Sequence, residues 1–279
     1  MEALSTLDLS KTLMILLITI LPGVLIFSMI LYSDRKSKEP LLMILICIFS
    51  GAFTICLSLI VDRILIKNNF IVGNMIGDSV SYSVYRILIL AAVEEYSKLL
   101  VIYLFIFRNR NYDDIFDGFV YSAITALSFS VVETVMYVFS EKTYSDMSSL
   151  AIVRNFTSVP LHIVCGIVMG YFLSLSKFSR EKSKKFINII LALLIPILVH
   201  TTYNVFFSMI NLSEGNNAMI VVVILFVLSI YLVGIVFILK TNILNKIFIT
   251  NGVFPRRKSY LMTKNEFILR EIRKYTWCK

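Results

Sequence analysis

"RILILAAVEEYSKLLVIYLFIF", residues 86–107, is apolar enough at both ends to cross a lipid bilayer, yet Glu94, Glu95 and Lys98 sit in its middle. An ionisable side chain at the centre of a membrane helix costs about 2.5–3.5 kcal/mol on insertion scales. So many charges at that depth need a reason, and the rest of the chain supplies one.

The chain is 58% hydrophobic and only 16% charged, with a mean hydropathy of +0.83, outside the range of soluble domains. Dividing the sequence by about 20 apolar residues per span yields seven stretches, roughly 12–32, 41–62, 83–107, 115–139, 152–176, 186–210 and 218–239. The predicted fold is all-α, a polytopic bundle of seven transmembrane helices. Residues 1–240 form its membrane domain, and 241–279 a basic cytoplasmic tail. The acidic lead-in "MEALSTLDLS", with no small-residue cleavage pattern after the first span, reads as a retained helix rather than a signal peptide.

Basic residues set the orientation. Twenty of the 27 Lys and Arg fall in the loops after the first, third and fifth spans and in the tail, so the N-terminus is expected outside and the C-terminus in the cytoplasm. The net charge of +9 is then a matter of topology, with no call for nucleic acid as a partner. The tail mixes its bases with Ile, Phe, Tyr and Trp, a composition expected to lie on anionic lipid. Cys47, Cys56, Cys165 and Cys278 form no CxxC pair, which argues against a thiolate metal site.

Further polar residues lie deep in the spans: Glu133 in the fourth, His162 in the fifth and His200 in the sixth. Both histidines of the chain are therefore intramembrane. With alternating helix directions, Glu94, His162 and His200 each fall about ten residues, roughly 15 Å, below the outer surface. Groups that must avoid lipid should face one another, so a buried wet cavity opening outward is expected. Glu94 and Lys98 have the spacing of a same-face pair, with Glu95 turned aside and able to face the cavity separately. Phe129 and Glu133 share a face, as do His200 and Asn204. Pro160 and Pro196 precede the histidines, where a bent helix can line a cavity.

This set suits hydrolysis. A carboxylate near a histidine can take a proton from water, and a histidine with an asparagine amide can stabilise an oxyanion. Alternatively, Glu133, His162 and His200 offer an N,N,O ligand set for zinc, with a glutamate as base.

The series "EEYSK" (94–98), "FSVVE" (129–133), His162 with its glycine stripe, and "HTTYN" (200–204) resembles that of the PrsW family of intramembrane proteases. "YSDRKSKEP" (32–40) and "FDGFVY" (116–121) agree as well, whereas Thr134 stands where the family more often has Asn. The resemblance implies a multi-pass peptidase of the bacterial plasma membrane, related to the CAAX prenyl proteases and Aph-1. It implies site-1 cleavage, near the outer face, of a single-span substrate of the anti-sigma factor type in envelope-stress signalling. Carried over, Glu94 or Glu95 activates water and Lys98 sets their charge state. Glu133 is a second acid or a ligand, His162 and His200 bind oxyanion or metal, and Asn204 orients. Competing classes are a non-catalytic scaffold or immunity protein, and a proton-coupled transporter.

Overall fold

The computed structural model describes residues 8–34, 38–68, 80–212 and 217–250. Among these there are helices and no strand. In chain order they are α1 (Leu9–Ser33), α2 (Leu41–Lys67), α3 (Val80–Val101) continued by a π turn (Ile102–Phe107), α4 (Ile115–Val138), α5 (Tyr144–Phe156), α6 (Ser158–Phe178), α7 (Lys182–Leu212) and α8 (Asn217–Thr250).

Six helical stretches are long and apolar enough to cross a membrane, α5 and α6 counting together as one. The remaining one, α3 with its π turn, carries Arg86, Glu94, Glu95 and Lys98. The bundle has a centre and a rim. In α4 and in the α5–α6 stretch 83% of the apolar window is buried, against 22% in α1 and α8. The acids and histidines thus lie on or against the central pair, α4 and α6.

Small residues let that pair meet. A Cβ at Gly170 would collide with the carbonyl of Gly118, and one at Gly166 would lie 2.6 Å from Ala126 Cβ and 2.7 Å from Ser122 O. The pairing of 118 with 170 and of 126 with 166 makes the helices antiparallel, in van der Waals contact along a stripe of Gly, Ser and Ala.

Where the fifth span was expected at 152–176, the chain breaks at Thr157, and α5 is an additional short helix. Pro160 explains the break, and the expectation of a bend inside a helix is corrected. Proline cannot donate to, and clashes with, the carbonyl four residues back, here Phe156, so α6 starts afresh with Pro160 in its first turn. The freed Phe156 carbonyl accepts instead from Tyr231 Oη at 3.0 Å. Pro22 in α1 likewise frees the Ile18 carbonyl, which accepts from Asn155 Nδ2 of α5 at 3.0 Å. Two proline-released carbonyls thereby anchor the end of α5 at Asn155 and Phe156.

At the end of α2 and α4 away from the acids lies a second polar network. Asp114 and Asp117 form a capping box at the start of α4, Tyr121 donates to the Glu39 carboxylate, and Tyr112 Oη and Ser174 Oγ lie 2.8 Å apart. Burial pushes the Tyr112 hydroxyl well above the ordinary tyrosine range, so it stays protonated. The "EP" loop and "FDGFVY" are therefore braces rather than parts of the polar centre. α8 continues past residue 240 to Thr250; the basic tail from 251 onward lies outside the described residues.

Candidate active site

Glu94 and Glu95 leave α3 in different directions. Glu95 is fully buried, and its Oε1 accepts from Lys98 Nζ at 2.7 Å and from His200 Nδ1 at 2.9 Å. The pairing expected from spacing, Glu94 with Lys98, is corrected: the ion pair is Glu95 with Lys98, one residue closer along the helix. Lys98 turns that way because two other groups meet it there. Its Nζ lies 3.0 Å from His162 Nδ1 and 3.9 Å from the centre of the Phe129 ring, a cation–π contact. Both partners are almost wholly out of solvent, where removing one would strand the other's charge. Glu95 therefore does not face the cavity, contrary to the expectation that it could.

Hydrogen-bond logic fixes the imidazoles. An ammonium can only donate, so His162 Nδ1 accepts from Lys98 and the ring proton sits on Nε2, 3.0 Å from Glu133 Oε2. His200 donates from Nδ1 to Glu95, which leaves Nε2 directed to the Glu94 side, 3.9 Å from Glu94 Oε2. The two rings stand perpendicular with centres 4.9 Å apart, and Phe129 packs edge-on against His162 at 5.1 Å.

Two residues that the sequence reading did not single out complete the picture. Arg154, near the end of α5, reaches Glu133 Oε2 at 2.5 Å, lies 4.3 Å from the centre of the Tyr137 ring and donates from Nε to Thr134 Oγ1 at 3.3 Å. Thr134, the departure from the family pattern, thus serves as an acceptor for the arginine. The sequence signal was a lone Arg inside a predicted span, one turn from its start. The second residue is Asp62 of α2. A cavity of about 270 Å³ is lined by Asp62, Glu94, Phe129, Glu133 and Tyr137, among others. Asn204 is half-buried, and among the described residues its side chain makes no hydrogen bond to the cluster.

The structure thus brings Glu94, Glu95, Lys98, Phe129, Glu133, His162 and His200 together and leaves Asn204 aside. For a divalent metal the donor chemistry fits. Glu94, His162 and His200 each offer a ligand atom within 4.8 Å of the others, and Glu94 Oε2 is buried without a hydrogen-bond partner. Glu94 takes the carboxylate place that the spacing had suggested for Glu133, because Glu133 is turned to Arg154 and the far side of His162.

Residues 39–233 match the sequence profile described as PrsW family intramembrane metalloprotease. The chain is 30% identical over 188 residues to "Protease PrsW" of Clostridioides difficile (strain 630), covering 67% of this chain and 76% of that relative. It is 26% identical over 186 residues to "Protease PrsW" of Bacillus subtilis (strain 168), covering 66% and 78%. A third "Protease PrsW", from Geobacillus kaustophilus (strain HTA426), is 25% identical over 183 residues, 66% and 75%. No solved structure matches the chain.

Proposed function

The chain belongs to the PrsW family of intramembrane metalloproteases, peptidases that are multi-pass bacterial membrane proteins, and from that membership we propose how this one cuts. The observation that carries the reading is the division among three carboxylates. Glu94 and Glu133 line one cavity, while Glu95 is sealed behind Lys98 and His200.

Glu94, His162 and His200 would hold the metal, with zinc the ion best suited to two imidazoles and a carboxylate; because Nδ1 of His162 accepts from Lys98, that ring would give up its Nε2 proton on binding the ion. When bound, that ion polarises water and the substrate carbonyl. Everything else is done by the protein. Glu95 accepts the Nδ1 proton of His200 and so keeps the Nε2 lone pair of that ring aimed into the site. Lys98 balances the Glu95 charge and orients His162. Glu133 takes the proton of the attacking water and delivers it to the departing amine as the C–N bond breaks, leaving a carboxylate on one product and an amine on the other. Arg154 is the positioning residue that holds Glu133 while it does so.

The N-terminus lies outside and the cavity opens to the outer face. Support comes from the basic loops and from the polar residues Asp62 and Ser140 at the end of the cavity remote from them. The substrate is a single-span protein of the anti-sigma factor type, cut at site 1 near that face; what supports this is the family resemblance. The basic tail rests on anionic lipid. Co-reconstitution with a single-span anti-sigma factor tests the reading: wild type should release its outer segment, and Glu133→Gln should not. Intact substrate with wild type would favour a scaffold role, and proton flux without cleavage a transporter.

A further inference from the structure

The cavity has two long walls. From α2 come Ile55, Ser58, Leu59 and Asp62, spaced as one face of a helix. From α4 and the turn after it come Phe129, Glu133, Met136, Tyr137 and Ser140. The helices run in the same sense, since Glu39 meets Tyr121 and, further along, Gly51 meets Thr125 and Ser128. Carried forward, that register sets Asp62 level with the turn around Tyr137. Asp62 therefore stands roughly one helical turn beyond Glu133, about 5 Å along the wall.

Among the described residues Asp62 has no counter-ion, and its Oδ1 is buried without a hydrogen-bond partner. Glu133 in the same cavity does have its arginine. Asp62 is half-buried, and leaving one carboxylate oxygen cut off from water without a partner is costly; a group that arrives with the substrate through the cavity is well placed to relieve it. An extended chain advances about 3.3 Å per residue, so 5 Å corresponds to about two residues.

We propose that Asp62 forms a substrate subsite for a basic side chain, Lys or Arg, about two residues from the cleaved bond. The aliphatic stem of that side chain lies along Leu59 and Met136, with its charged head on Asp62. The subsite rests on the proteolytic reading given above, and it adds a charge preference that the catalytic residues do not impose.

The test uses the full-length protein in neutral-lipid vesicles and a single-span model peptide whose cut bond is first mapped by mass spectrometry. Lysine is then moved one position at a time on either side of that bond, with Gln and Glu as comparisons. The kcat/KM should peak with lysine about two residues from the bond, about tenfold above Gln, with Glu slowest. Asp62→Asn should bring the three peptides to within about twofold of one another, and Asp62→Lys should reverse the order. Equal rates in wild type, or a lysine preference that survives in Asp62→Asn, overturns the subsite. If wild type cuts none of the peptides, the proteolytic reading fails by itself. Zero-length carbodiimide coupling then decides the subsite separately: the lysine peptide joins Asp62 if the subsite exists and does not if it is absent.

Discussion

Glu94 and Glu95 are neighbours in sequence but occupy different environments: Glu94 lines the cavity, whereas Glu95 is fully buried against Lys98 and His200. Neutralising them should therefore have different consequences. Glu95→Gln leaves the Lys98 ammonium buried without its ion-pair partner and should lose about 3–5 kcal/mol of stability. Glu94→Gln should keep a Tm near that of wild type and lose cleavage by about a hundredfold or more. Thermal unfolding in detergent alongside a cleavage assay separates the two; equal Tm losses would remove the distinction drawn here.

Metal retention should follow the same geometry. Zinc bound to purified protein should fall sharply in His200→Ala and Glu94→Gln and persist in Glu133→Gln, measured by elemental analysis after dialysis. Glu133 rests on His162 Nε2, so it competes with an ion for that nitrogen. Glu133→Gln should accordingly hold zinc at least as tightly as wild type while failing to cut. Zinc loss in Glu133→Gln equal to that in His200→Ala would return Glu133 to the ligand set.

Arg154 should act through Glu133. Arg154→Ala should lower kcat by about 10–100-fold with KM little changed, since the guanidinium stands behind Glu133 and Tyr137 and is not itself among the residues lining the cavity. Arg154→Lys should recover part of kcat. A rise in KM with unchanged kcat would place Arg154 in substrate binding instead.

Gly170 tests whether the α4–α6 contact sets the site. Any added side chain meets the Gly118 carbonyl, and backbone cannot rotate aside. Gly170→Val should cost about 1–3 kcal/mol, read as a lower Tm, and should reduce cleavage because α4 carries Glu133 and α6 carries His162.

Much of this arrangement was legible in the sequence. The cost of charge in a bilayer and the rise of a helix were enough to gather Glu94, His162 and His200 at one depth, with Glu133 somewhat nearer the outside. The details that escaped belong to contacts between helices. Spacing alone cannot choose between Glu94 and Glu95 for Lys98, because both lie within a turn; His162 and Phe129, from other helices, decide it. Pro160 marked a disturbance, but whether it kinks or restarts a helix depended on Tyr231 being available for the freed carbonyl. Arg154 lies inside a predicted span and has no partner legible from spacing; the α5–α6 break aims it at Glu133. Asn204 carried the right spacing from His200, yet among the described residues its amide makes no hydrogen bond to the cluster.

Addition of water to a peptide bond in this cavity can be followed by cleavage in heavy-oxygen water. The reconstituted protein is given a single-span substrate, and the products are weighed by mass spectrometry. With wild type one heavy oxygen should enter the new carboxylate of the N-terminal product, and Glu133→Gln should give no product in protein that still binds zinc. Product of equal yield and label from Glu133→Gln would contradict that mechanism.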